Sequence, residues 1–234
     1  MSRRRKLEKF ADILNYDHVY EYSEIGNSML KANKYDHIDL RGKWRSEVFG
    51  NDRPLCVELA CGRGEYTLGL AERYPDKNFI GVDIKGARIW QGATKSKELG
   101  MSNVAFLRIR IEQIELYFDQ EEIDEIWITF PDPFPAKENR RTTCDAFLDR
   151  YFQIVKNGGN LNLKTDDDDF FKYSVDTIEK NKNYEIIYKN NNIYGEELFT
   201  QDLDIKTYYE LEHLSKGKTI KYLLFAKKAR KLQY

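Results

Sequence analysis

Val57-Glu58-Leu59-Ala60-Cys61-Gly62-Arg63-Gly64-Glu65-Tyr66 is the stretch on which the fold turns. Residues 55–60 form a short apolar run, a glycine-rich turn follows, and residues 65–73 have helical spacing. Two glycines at i and i+2 after a strand let the backbone turn tightly and approach a ligand closely. Residues 78–84 read as a second strand that closes on Asp83, 19 residues past Gly64. Ligands of open α/β sheets bind outside the carboxyl ends of the strands, where a carboxylate can accept both hydroxyls of a ribose. The pattern is that of a nucleoside-cofactor site.

Two cofactors compete for it, beside the plain reading of a glycine turn with no ligand. A dinucleotide site asks for Gly-x-Gly-x-x-Gly, and Thr67 stands where the third glycine would fall. Glu58 also places a carboxylate inside the first strand, just before the turn. That charge repels a pyrophosphate and attracts the cationic methionine part of S-adenosyl-L-methionine, so the residues favour adenosylmethionine over NAD.

Strand and helix patterns continue to alternate outward from the turn. Residues 85–99 read as a helix ended by Gly100, 104–109 as a third strand and 123–130 as a fourth. Helical spacing over 142–155 is broken by Asn157-Gly158-Gly159, and a fifth strand (160–164) and a helix (167–180) follow. Residues 184–188 and 219–226 read as two last strands, with a helical stretch around 206–214 between them. Such alternation predicts an α/β protein with a parallel sheet. The long connection before the final strand lets it return antiparallel. Residues 1–50, polar, Tyr-rich and irregular, read as an N-terminal extension to a domain spanning 51–234.

The composition excludes several classes. Of 234 residues, 41% are hydrophobic and 14% aromatic, enough apolar surface to offset ordering entropy and exclude a disordered chain. No apolar run approaches the roughly 20 residues needed to span a bilayer, and Met-Ser-Arg-Arg-Arg-Lys has no apolar stretch behind it to make a secretory signal. Cys56, Cys61 and Cys144 form neither a disulfide framework nor a Cys-x-x-Cys pair, which fits a cytoplasmic protein. His18, His37 and His213 are scattered, so no metal is expected. A net charge of -1 argues against a generic nucleic-acid binder. Even so, basic residues cluster at 3–6, at Lys137, Arg140 and Arg141, and at Lys227, Lys228, Arg230 and Lys231.

The fourth strand runs into Phe130-Pro131-Asp132-Pro133-Phe134. A carboxylate between two prolines is rigidly presented, because each proline fixes its own φ and restricts the residue before it. Lys137, Arg140 and Arg141 follow at once and read as a phosphate-attracting patch.

Together these motifs resemble the bacterial tRNA (guanine-N7-)-methyltransferases. The resemblance runs from about Arg41 to Phe225. It rests on Gly42-Lys43-Trp44 with Val48-Phe49-Gly50-Asn51-Asp52, on Glu58 with the glycine turn, and on Phe130-Pro131-Asp132-Pro133. Lys164-Thr165-Asp166 and Thr207-Tyr208-Tyr209-Glu210 complete it. It implies a class I adenosylmethionine-dependent methyltransferase fold, a Rossmann-like sheet of seven strands with the last antiparallel. It also implies methyl transfer from S-adenosyl-L-methionine to N7 of a guanine in tRNA, with no DNA or membrane partner, by a monomer or homodimer. Glu58, Gly62, Gly64, Asp83 and Asp132 fall on the family's cofactor positions, and Asp132 is implied as the catalytic residue. Lys137, Asp166, Thr207, Tyr208, Tyr209 and Glu210 fall near its substrate positions.

Three departures stand out. Ala60 replaces the first glycine of the turn, at little cost if its φ is negative. Arg110 stands where an acidic or amide residue is expected after the third strand, leaving Glu112 or a backbone group to meet the adenine. The segment after Asp132 is short, so the substrate lysine aligns with Lys137 or falls on Ala136. Two rival readings remain: a methyltransferase acting on an exocyclic amino group or another RNA, and a non-catalytic RNA-binding module on the same fold.

Overall fold

A computed structural model describes residues 8–9, 11–33 and 36–229, and the chain falls into two units, Met1–Asp119 and Gln120–Tyr234. The basic residues at 3–6 and at 230–231 lie outside the described residues. No helix among the described residues is long and apolar enough to cross a membrane.

The first unit holds β1 (Val19–Tyr22), β2 (Leu30–Ala32), β3 (Asp36–Ile38), β4 (Leu55–Leu59), β5 (Asn78–Asp83) and β6 (Val104–Arg108). They lie in the order β3-β2-β1-β6-β5-β4. β4, β5 and β6 run parallel, joined by helices α1 (Glu65–Arg73) and α2 (Gly86–Glu98). Every residue of β4 and β5 is buried, and strands covered on both faces read as unbroken apolar runs. The helices meet this sheet around Phe106. Gly64, at φ +75°, leaves only 2.8 Å between the place of a Cβ and Phe106 Cε1, and a Cβ at Gly92 would meet the Arg63 carbonyl at 2.8 Å. Gly64→Ala therefore combines left-handed strain with overpacking and is expected to cost about 1–3 kcal/mol. A melting temperature equal to that of the unaltered chain would contradict this packing.

The extension expected to be irregular carries three short strands. β1 pairs parallel with β6, setting Val19 beside Phe106 and Glu21 beside Arg108, and Arg108 closes a 2.8 Å ion pair on Glu21. β2 and β3 continue antiparallel. Strands of three or four residues offer too little alternation to be recognised beforehand. Packing also explains Gly42-Lys43-Trp44. Trp44 is fully buried, its Nε1 donates to the Tyr117 carbonyl at 2.8 Å, and its ring stacks on Phe118 and meets Tyr20 edge-on.

The second unit holds β7 (Ile123–Thr129), α3 (Asp145–Ile154), β8 (Val155–Thr165), α4 (Asp168–Lys180), β9 (Tyr184–Asn190), α5 (Tyr208–Ser215) and β10 (Lys221–Lys227). The strand order is β7-β8-β10-β9. β7 and β8 are parallel, whereas β10 runs antiparallel to both its neighbours, as expected of the last strand. Helix α3 ends at Ile154, close to where the sequence suggested, but Asn157-Gly158-Gly159 does not precede the fifth strand. It lies inside β8, where Ile123 pairs with Val155 and Glu125 with Asn160. The surplus residues bulge outward, with Gly158 at φ +74°.

Candidate functional site

The glycine turn of the first unit is built from alternating left-handed residues: Ala60 at φ +59°, Gly62 at +57° and Gly64 at +75°. The condition under which Ala60 would cost little, a negative φ, is therefore not met. A side chain in this region costs roughly 1–2 kcal/mol, which the turn's hydrogen bonds oppose. Cys61 donates its N–H to the Val82 carbonyl at 3.0 Å and Gly64 to the Cys61 carbonyl at 2.8 Å.

Asp83 ends β5 beneath this turn and is buried. Its Oδ2 accepts from the Gly62 N–H at 3.0 Å and its Oδ1 from the Lys85 N–H at 2.7 Å. Burial raises its pKa, and the two amides oppose that shift. The folded chain therefore keeps a proton on Asp83 at pH values where the unfolded chain has released it. This group lowers stability as pH rises from the ordinary carboxylate range to the raised value, and adds no dependence above it.

Glu58, also buried, turns toward α1. Its Oε2 accepts from both the N–H and the hydroxyl of Thr67, the N–H at 2.8 Å. A helix N-terminus is the natural seat of a pyrophosphate, and here Glu58 takes one of those amides itself. The Thr67 that breaks the dinucleotide pattern is the partner of Glu58. Burial, followed by the charges of Glu58 and Asp83, pushes the Cys61 thiol well up, which makes it a poor nucleophile. Arg110 and Glu112 lie exposed beyond β6, at the start of a short 3-10 helix.

In the second unit β7 runs into the Asp132 turn. Phe130 and Phe134 flank it at φ +49° and +44°, a conformation that costs a bulky residue of order 1–3 kcal/mol and needs its surroundings to hold it. The Phe130 N–H donates to the Lys164 carbonyl at 2.9 Å, and the Lys137 N–H to the Phe134 carbonyl at 3.0 Å. Asp132 and Lys137 are exposed. The patch read at Lys137, Arg140 and Arg141 is divided: Arg140 is exposed, with its guanidinium 4.4 Å from the Phe134 ring centre, whereas Arg141 is buried.

The two later motifs meet in a buried network. Lys164 Nζ donates to Glu210 Oε2 at 2.9 Å, and both side chains have no exposed surface. It also donates to the carbonyls of Leu203 and Ile205, while the Tyr194 hydroxyl donates to Glu210 Oε1 at 2.7 Å. Thr207 caps α5 by accepting from the Glu210 N–H. Of the stretch from Thr207 to Glu210, Tyr208 is the most open, at 48% exposure. Asp166 lies beside this network, its Oδ2 3.2 Å from His213 Nδ1 and paired with Lys218. The N-cap of α4 is Asp167, which accepts from the Phe170 N–H at 2.7 Å, so Asp166 is not spent on the helix terminus. His213, unassigned on sequence grounds, also stacks on the Phe130 ring. Lys164 and Tyr194 went unassigned too, although a lysine in the apolar run Leu161-Asn162-Leu163-Lys164 is itself a signal of a buried partner.

A glycine turn braced by Asp83 with an acidic strand residue before it, in the first unit, and a last strand that runs antiparallel, in the second, are the features of a class I adenosylmethionine-dependent methyltransferase. The solved structure of the 16S rRNA methyltransferase KamB shares the fold, with a TM-score of 0.64 at 9% identity over 82% of this chain and 96% of that one. Residues 52–223 match a family described as "Putative methyltransferase". The tRNA (guanine-N(7)-)-methyltransferase of Bacteroides thetaiotaomicron is 47% identical over 224 residues, 95% of this chain and 85% of the relative. That of Christiangramia forsetii is 41% identical over 229 residues, 96% of this chain and 99% of the relative. The chain belongs to the tRNA (guanine-N(7)-)-methyltransferase family.

Proposed function

We propose that this protein transfers the methyl group of S-adenosyl-L-methionine to N7 of a guanine in tRNA, in the cytoplasm, with residues 1–50 as an extension to a methyltransferase domain at 51–234. The observation that carries this reading is the 47% identity to a tRNA (guanine-N(7)-)-methyltransferase over 95% of the chain. Bound adenosylmethionine supplies a methyl group on an electron-poor sulfonium. The residues suit such a ligand: Gly62 and Gly64 present backbone without side chains, Asp83 and Glu58 supply negative charge, and Thr67 excludes the third glycine of a dinucleotide site. Glu112 is assigned to the adenine.

Guanine N7 carries a lone pair and no proton, and it lies on the major-groove edge. No residue of the chain is therefore needed as a general base, and the work left to the protein is positioning and electrostatics. Asp132, the catalytic residue in this reading, and Asp166 accept from the guanine N1–H and N2–H and balance the charge that develops on the purine. Lys137 meets phosphate. Tyr208 and Tyr209 serve the substrate directly, whereas Thr207 and Glu210 act from beneath the surface by shaping the start of α5. A base stacked in the tRNA core must be exposed before it can react.

The test is to incubate the protein with labelled adenosylmethionine and unmodified bulk tRNA, digest the RNA and identify the labelled nucleoside. Label in 7-methylguanosine is expected. Label on an exocyclic amino group would assign the chain to another reaction, and no label at all would favour a binding module. Asp83→Ala removes charge-assisted hydrogen bonds worth about 1.5–3 kcal/mol, so calorimetric affinity for adenosylmethionine is expected to fall about tenfold or more. tRNA affinity should hardly move. Unaltered cofactor affinity would remove Asp83 from the site.

A further inference from the structure

Arg140-Arg141 reads in sequence as one cationic patch, but the fold gives the two residues different surroundings. The Arg141 side chain is 6% exposed, out of reach of a phosphate approaching from solvent. Its Nε donates to the Pro133 carbonyl at 3.0 Å, one residue beyond Asp132. Its guanidinium lies 4.5 Å from the centre of the Tyr173 ring on α4. Among the described residues its one ion pair, with Glu138, is 3.5 Å long, and Glu138 itself is largely exposed. A buried charge so weakly neutralised is costly, so packing alone would favour an apolar side chain there.

The backbone around Arg141 is fixed as well. Its N–H donates to the Glu138 carbonyl, and the Cys144 N–H donates to the Arg141 carbonyl, each at 3.0 Å. Two residues on, the Thr143 hydroxyl lies 2.7 Å from that of Ser174 on α4. Residues 141–143 are thus clamped to α4, and the planar guanidinium extends from that clamp to the Asp132 turn. The turn needs such a hold, because Phe130 and Phe134 both stand in the left-handed region. Phe130 is tied down by the Lys164 carbonyl. On the other side of Asp132, the hold on Pro133 comes from Arg141.

We infer that Arg141 is a positioning residue for the methyl transfer, fixing the direction of the Asp132 carboxylate through the Pro133 carbonyl and the Tyr173 ring, and not a phosphate contact. The inference rests on the catalytic role proposed for Asp132. In the test, the unaltered protein is first assayed for 7-methylguanosine formation, and failure at that step counts against the reaction, not against Arg141. Arg141→Met and Arg141→Lys are then compared at saturating tRNA. A misdirected catalytic group costs up to about 100-fold in rate, so kcat is expected to fall about 10- to 100-fold in both variants. KM for tRNA and the salt dependence of tRNA binding should keep their values. Loss of a phosphate contact would instead lower the slope of log K against log[salt] by about 0.7–0.9 with kcat retained, and that result overturns the inference, as does an unchanged kcat. Should Arg141→Met fail to fold, Tyr173→Leu and Tyr173→Phe carry the same test. Removing the ring should lower kcat and restoring it as Phe should recover most of the rate, whereas equal rates in the two would overturn the inference.

Discussion

Asp132→Asn is expected to lower methyl transfer by about two orders of magnitude or more while leaving the protein folded. Asparagine keeps the size of the side chain, removes its charge and turns one acceptor into a donor. In the proposed reaction that donor faces the N–H groups of guanine and repels them. The fold tolerates the change because Asp132 is exposed, and the bonds that shape its turn run through the backbone of Phe130, Pro133 and Phe134. Kinetics at saturating tRNA, with circular dichroism as the folding control, measure the effect. A folded Asp132→Asn protein turning over within a few-fold of the unaltered enzyme would refute the assignment. Because N7 needs no deprotonation, the unaltered rate should also stay level between about pH 7 and 9, where a titrating general base would make it climb.

The parts of this molecule that were legible in its sequence share a physical cause. β4 and β5 are buried on both faces, so their apolar runs are unbroken, and the glycines between β4 and α1 sit where φ is positive or Phe106 presses on the backbone. Asp83 could be placed at a strand end because the run before it is continuous. What stayed hidden depends on contacts distant in sequence. β1 acquires its identity by pairing with β6, some 85 residues on. The glycine pair at 158–159 looked like a terminator, and only the register between β7 and β8 reveals a bulge. Arg141 looked like its neighbour Arg140 because charge is written in the sequence and burial is not. Lys164 and Glu210 were both noticed as parts of motifs, but that they are one ion pair follows only from the fold.

Breaking that pair is expected to cost the protein much of its stability. Lys164→Met leaves the Glu210 carboxylate buried with the Tyr194 hydroxyl as its remaining side-chain donor among those described above, and takes a donor from the Leu203 and Ile205 carbonyls. Glu210→Leu leaves an ammonium among carbonyls, and burial already lowers the Lys164 pKa against the pull of Glu210. Removing one member of a buried pair costs about 3–5 kcal/mol, which for a chain of this length lowers Tm by roughly 6–20 °C. The double variant Lys164→Met with Glu210→Leu removes both charges at once and should be less destabilised than the sum of the two singles by about 2 kcal/mol or more. Strict additivity in denaturant melts, or single variants within about 1 kcal/mol of the parent, would show that the pair carries no such coupling. The network also joins the end of β8, which leads to Asp166, to the Thr207 cap from which Tyr208 projects. The single variants should therefore lose methyl transfer at temperatures well below their own melting, as the ends of β8 and α5 that the proposed function assigns to the substrate loosen before the sheet does.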